Sequence, residues 1–197
     1  MFNIFVNNID KEKYFIAEYF ISSSTSLRDA AWNLAIGQSV GNPNIRNRWE
    51  TDELFLNHSC VIMHDEEELQ KLKQGNIKIG FPVINIDWLT DGISHLICQL
   101  MGGHTDINII DKCRLINLKL PKSVTKVFLK PQFGISGLRK YVDRYKKPIF
   151  GNIVKPKIGT KPEVLLEMVK QMVDGGADFI KEDEIMSNPC IAPLEKR

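Results

Sequence analysis

The residues from Phe150 to Glu184, FGNIVKPKIGTKPEVLLEMVKQMVDGGADFIKEDE, constrain this chain more than any other stretch, because they spell a strand, a helix and a strand with charged side chains after each strand. Ile149, Phe150, Ile153 and Val154, interrupted by Gly151, predict the first strand. It stops at Lys155-Pro156-Lys157, since proline has no N–H to give to a sheet ladder. Thr160 and Glu163 have capping-box spacing and Pro162 suits a first helical turn, so a helix is expected from Thr160. Leu165, Met168, Val169 and Met172 recur at i, i+3, i+4 and i+7, giving it one apolar face, and Gly175-Gly176 ends it. A second strand, Ala177 to Ile180, delivers Lys181, Glu182, Asp183 and Glu184. Strands joined by a helix of this length lie parallel, which brings Lys155 and Lys181 out at one carboxyl edge, where parallel α/β folds keep their active sites.

The chemistry available there follows from the residue types. Asp183 and Glu184 offer two carboxylates to a hard cation such as Mg²⁺, which prefers oxygen ligands. Lys181 is a poor ligand as an amine, but on adding carbon dioxide it becomes a carbamate, a third anionic oxygen donor. That addition needs the neutral amine, which nearby cations such as Lys155 and Lys157 favour. Taken by itself, the same KEDE segment also reads as a solvated charge run after a strand.

GNIVKPKIG (Gly151 to Gly159), followed by GGADFIKEDE (Gly175 to Glu184), resembles the first two barrel strands of the RuBisCO large-subunit superfamily. A KPK segment ends strand one there and a K-x-D-E segment ends strand two. The resemblance implies that Lys181 is the carbamylated lysine and that Asp183 and Glu184 complete the Mg²⁺ ligands. It further implies that Lys155 moves protons at the enediolate carbon and that Lys157 tunes it from beside. The tail SNPCIAPLEKR, Ser187 to Arg197, is more similar to the RuBisCO-like proteins than to the carboxylases.

Upstream, the order of elements is that of a separate α+β domain. Residues 12–21 alternate as a strand, with Tyr14, Ile16 and Phe20 as core candidates. Ser26 can cap a helix through Ile36 whose inner face is Leu27, Ala30, Ala31 and Leu34. Gly37 to Glu53 is too rich in Gly, Asn and Pro for regular structure and reads as a long loop. A short strand over 58–63, a charged helix over 65–72 with Leu69 and Leu72 inward, and a strand over 77–86 around Pro82 follow. Ile93, Leu96, Ile97 and Leu100 then mark a helix over 92–101, with His95 at its rim, and Cys113 to Leu120 alternate as a last strand. Strand, helix, strand, strand, helix, strand is the split βαβ, ferredoxin-like order, and it is similar to the RuBisCO amino-terminal domain. The expected architecture is therefore a ferredoxin-like domain over 1–122 and a linker over 123–147 with a short helix from 138 to 145. Residues 148–197 would then begin a TIM (β/α)₈ barrel with its first two strands.

A net charge of +2 and 25% charged residues imply no nucleic-acid face, and no apolar run reaches membrane-spanning length. A cytoplasmic location is the default expectation. Cys60, Cys98, Cys113 and Cys190 lack metal or redox spacing and read as reduced thiols.

Three positions depart from the carboxylases. The amino-terminal loop that carries a Glu and a Thr-Trp pair in them reads Gly37 to Pro43 here, their substrate-facing Asn corresponds to Gly103, and a strand-one Thr corresponds to Ile153. The resemblance thus implies Mg²⁺-dependent enolisation of a phosphorylated ketose, with isomerisation, decarboxylation or carboxylation as outcomes, in a homodimer. An authentic ribulose-1,5-bisphosphate carboxylase and a non-catalytic truncated piece are the alternatives. A barrel takes eight strands and about 250 residues, so a chain reaching two is expected to be a fragment without turnover of its own.

Overall fold

The ten residues Tyr14–Ser23 form β1, a central strand of an antiparallel sheet, in the computed structural model, which describes residues 3–197. After it come α1 (Leu27–Gly37), α2 (Asp52–His58), β2 (Val61–Ile62), α3 (Glu66–Lys71), β3 (Gln74–Pro82), α4 (Gly92–Met101) and β4 (Ile110–Lys119). The sheet order is β2-β3-β1-β4, with every pair antiparallel. This is the split βαβ arrangement expected from the order of elements. Ser26 caps α1 by accepting from the Asp29 N–H (3.1 Å), and Asp65 caps α3 through the Glu68 N–H (2.9 Å).

The core lies on one face of this sheet. Phe15, Ala17, Tyr19 and Ile21 of β1 and Ile77, Ile79 and Phe81 of β3 are buried with Leu27, Ala30, Ala31 and Leu34 of α1 and Leu96 and Leu100 of α4. Phe15 stands opposite Phe81 in the register, and their rings stack at 5.1 Å. The Tyr19 hydroxyl donates to the Leu100 carbonyl (2.9 Å), so the one polar atom this ring carries inward is satisfied.

Several local expectations are corrected. Tyr14, Ile16 and Phe20 are not the core face of β1, being only partly covered. The outer alternation carries three large apolar side chains but also Glu18 and Ser22, and a one-residue change of phase exchanges the whole inward set. Helix α2 occupies residues read as loop and strand, with Thr51 accepting from the Leu54 N–H (3.2 Å) as its cap. Leu72 is exposed beyond the end of α3, β3 stops at Pro82, and Val83–Asn85 turn as a 3₁₀ helix. Only Leu96 and Leu100 of the α4 stripe are covered, while Ile93 and Ile97 face outward.

A short helix, α5 (Lys122–Thr125), follows, and the chain divides between Leu129 and Lys130 into two compact units. The second unit holds α6 (Gly134–Tyr141), β5 (Gly151–Ile153), α7 (Pro162–Asp174) and β6 (Phe179–Lys181). Helix α6 ends at Tyr141 rather than Tyr145. Strands β5 and β6 are parallel, as a strand, helix, strand unit requires. Pro162 takes the first turn of α7, but Thr160 does not cap it: its hydroxyl donates back to the Pro156 carbonyl (3.3 Å), and Lys161 is the N-cap. Leu165 packs with Val154, Met186 and Ala192 in a small core that Met168, Met172 and Ile180 border. At Gly151, the first residue of β5, a Cβ would stand 2.1 Å from the Phe179 ring, which would have to turn aside. Gly176 leaves α7 at φ +88°, a left-handed turn that favours glycine. No helix among the described residues is long and apolar enough to cross a membrane.

Candidate functional site

The register of the parallel pair sets the site. Ile153 is opposite Lys181, and the Val154 N–H donates to the Lys181 carbonyl (3.0 Å), carrying the pairing one step past β5. Lys155 and Asp183 each lie two residues beyond the Ile153–Lys181 pair, so they leave the sheet together at its carboxyl edge. There the Lys155 ammonium bonds Asp183 Oδ2, and Lys157 Nζ is 3.0 Å from the same oxygen. The other carboxylate oxygen accepts from the Ile185 N–H (3.3 Å), capping the 3₁₀ turn Glu184–Met186. Lys181 Nζ donates to Glu184 Oε2 at 2.5 Å.

Asp183 is buried while its partners reach solvent: its side chain is 5% exposed against 51% for Lys155 and 36% for Lys157. The Lys155 hydrogen bond, and then that of Lys157, hold the Asp183 carboxyl well below the usual carboxylate range, against the upward push of burial. The same contact with Asp183 raises Lys157. Glu184 is lowered first by the Lys181 hydrogen bond. Both acids are thus ionised at neutral pH, each on its own ammonium partners.

The opposite, amino end of the strands is strapped by a pairing that had no sequence signal. Asp178, just before β6, accepts from Arg144 Nε (2.7 Å) and from the Phe150 N–H (2.9 Å) ahead of β5. Arg139 braces that segment by donating to the Arg144 and Lys147 carbonyls (2.6 and 2.9 Å). Glu182, the variable position of K-x-D-E, pairs with Arg197 (2.8 Å) and ties the tail to the strand end. Asp178 follows a Gly-Gly-Ala turn, which hints at its position but not at its partner.

Among the described residues no three His, Cys, Asp or Glu side chains gather as a metal site, so a cation at this edge would need its third arm from Lys181. The donor set fits a hard divalent ion: two adjacent ionised carboxylates and a lysine whose Nζ is already at Glu184, where a carbamate would add oxygens.

In the first unit, Gln38 occupies the space over Gly103. Oriented to satisfy its neighbours, its amide donates to the Gln99 carbonyl (3.0 Å) and accepts from the Gly103 N–H (3.1 Å). A Cβ on residue 103 would stand 1.9 Å from the end of the Gln38 amide that meets the Gly103 N–H. An asparagine at 103 therefore has room only if Gln38 swings away.

Residues 134–197 match the family described as ribulose bisphosphate carboxylase large chain, catalytic domain. An uncharacterised ribulose bisphosphate carboxylase-like protein of Bordetella bronchiseptica is 30% identical over 197 residues, covering 93% of this chain and 46% of the relative. A 2,3-diketo-5-methylthiopentyl-1-phosphate enolase of Geobacillus kaustophilus is 27% identical over 191 residues, covering 92% and 45%. The chain spans under half the length of these curated relatives. Among solved structures, the octameric ribulose-1,5-bisphosphate carboxylase/oxygenase of Pyrococcus horikoshii superposes with a TM-score of 0.76 over 98% of this chain and 45% of that one, at 22% identity, a likeness of fold.

Proposed function

Because the chain belongs to the RuBisCO large-chain superfamily, among the RuBisCO-like proteins rather than the authentic carboxylases, we propose that the intact protein enolises a phosphorylated ketose with the help of Mg²⁺. The observation that carries this reading is the convergence of Lys155, Lys157 and Asp183 at the carboxyl edge of a parallel strand pair, with Lys181 and Glu184 beside them. In it, residues 1–122 are the amino-terminal ferredoxin-like domain, 123–147 the linker and 148–197 the first two strands of a TIM barrel. Phe150, Ile153 and Phe179 are about half exposed around β5 and β6, apolar surface that further barrel strands and helices would cover.

Asp183, Glu184 and Lys181 as its carbamate would hold the cation. Bound there, Mg²⁺ supplies a Lewis acid for a substrate oxygen. Lys155 moves the proton at the carbon beside the ketone, and Lys157, on the same Asp183 oxygen, fixes where Lys155 stands. Arg144, Asp178 and Arg139 hold the far ends of the strands so that the carboxyl edge keeps its register. The name of the Geobacillus relative, an enolase of a phosphorylated diketone, supports both the reaction and the substrate class. Gln38 over Gly103 favours a RuBisCO-like enzyme over a carboxylase, the second reading, because that position is filled by a different amide. A homodimer is the assembly this reading implies.

The test is proton exchange. The intact protein, given Mg²⁺, bicarbonate and a panel of phosphorylated ketoses in deuterated water, should wash deuterium into the position beside the ketone, followed by proton NMR. Lys155→Met should slow this by about 100-fold or more, the usual scale for losing a general base. Exchange that survives Lys155→Met undiminished would overturn the assignment. Labelled carbon dioxide fixed onto ribulose-1,5-bisphosphate would select the carboxylase instead.

A further inference from the structure

All of the acids that would hold the cation are engaged by ammonium groups, and unequally. Glu184 has one partner, Lys181, and its side chain is 75% exposed, so water competes for it. Asp183 has two, Lys155 and Lys157, both on Oδ2, and is 5% exposed. Its Oδ1 is turned back onto the Ile185 N–H. A cation approaching Asp183 meets one oxygen that already accepts from the backbone and another that carries two ammonium contacts.

We propose that Lys155 and Lys157 form a latch on the metal site, holding Asp183 Oδ2 until a divalent ion displaces them, so that loading exchanges ammonium contacts for the cation. This rests on the metal site proposed above. The charge balance explains why such a latch can open. Three ammoniums and two carboxylates leave the group with one positive charge, which repels a cation. When Lys181 loses two protons to solvent and its nitrogen bonds the carbon of carbon dioxide, the lysine goes from one positive to one negative charge. The group is then at one negative charge, and a divalent ion returns it to one positive. Carbamylation also removes the ammonium from Glu184, freeing that arm, whereas Asp183 has to be released by movement of Lys155 and Lys157. Lys157 is the part of the latch that can be removed while leaving Lys155 as the Asp183 partner.

The experiment measures Mn²⁺ binding to the intact protein by the electron paramagnetic resonance signal of the free ion, with bicarbonate present and no substrate. Lys157→Met should tighten Mn²⁺ binding several-fold, and Lys157→Arg, which restores a cation on Asp183, should return it toward the wild-type value. Asp183→Asn should abolish binding. If Asp183→Asn abolishes binding but Lys157→Met leaves it unchanged or weaker, the latch is wrong and the metal site stands. If Asp183→Asn binds as the wild type does, or no variant binds at all, the metal site itself is wrong and the latch falls with it. Lys157 is partly exposed, and the circular dichroism of each variant distinguishes a lost fold from a changed affinity.

Discussion

The two units of this chain solve opposite problems with the same elements. In the first, strands β1, β3 and β4 run for nine or ten residues and press one face against α1 and α4, burying Phe15, Tyr19, Ile21, Ile79 and Phe81 completely or nearly so. In the second, β5 and β6 are three residues long, Ile153 and Phe179 within them and Phe150 just before β5 are about half exposed, and the buried apolar set is four residues. Charge is distributed the other way. The second unit gathers three lysines and two acids at one strand edge and a further arginine–aspartate pair at the other. The antiparallel sheet is built from its own core outward, whereas the parallel pair is held largely by polar straps at its two ends. What this teaches is that packing and clustered charge have been allotted to different stretches of chain, so they can be perturbed separately.

The sharpest way to break that contrast is a matched pair of truncations. Phe81→Ala, in the core beneath Phe15, should cost about 3–5 kcal/mol, read as a lowered denaturation midpoint by the fluorescence of Trp32, Trp49 and Trp88, all of which lie in the first unit. Phe179→Ala, on the half-exposed β6, should shift the same signal by less than about 0.5 kcal/mol. Equal effects would show that the two units fold as one. Next in size, Ser26→Ala removes the cap of α1 and should lower that midpoint by about 1 kcal/mol. Ser26→Asp should keep it, which separates capping from packing.

The smallest effect expected is a pH dependence confined to the first unit. His64 Nε2 accepts from the Lys78 N–H (3.0 Å), a role open only to neutral imidazole. Burial first, and then the Lys78 charge, push His64 below its usual value, while Glu68 and Glu18 pull it up. The unfolded chain then binds the proton more readily than the folded one, so the stability His64 adds is present above about pH 6.5 and fades as the pH falls through its folded value. His64→Gln should flatten this slope in tryptophan-monitored denaturation measured from pH 8 to pH 5. A slope that persists unchanged would assign it to other groups.

Much of the architecture was legible because it depends on neighbours in sequence. Ser26 before an apolar 3.6-residue repeat predicted α1 and its cap. Two short apolar strands around a helix with Pro162 near its start predicted a parallel pair, and the pair is parallel. The misreadings share a cause. Tyr14, Ile16 and Phe20 are as apolar as Phe15, Ala17, Tyr19 and Ile21, but Glu18 and Ser22 share their face, and the inward set is the one that α1 and α4 cover. Helix α2 carried its own signals, Thr51 with Asp52 and Glu53 after it, and was hidden by the irregular loop before it. Thr160 has capping-box spacing to Glu163, yet α7 begins one residue later, with Lys161 as its N-cap, and the Thr160 hydroxyl donates to the Pro156 carbonyl.

For the candidate site, the one-dimensional order of residues sufficed to place Lys155, Lys157, Lys181, Asp183 and Glu184 near one strand edge, because chain direction and a connecting helix fix which ends of two strands come together. Which ammonium meets which acid was beyond it. That Asp183 takes both Lys155 and Lys157 while Glu184 takes Lys181, and that Arg144 reaches Asp178 across thirty-four positions, are choices of three-dimensional proximity. Electrostatic attraction acts over a few ångströms of space and is blind to distance along the chain, so only folding could decide it.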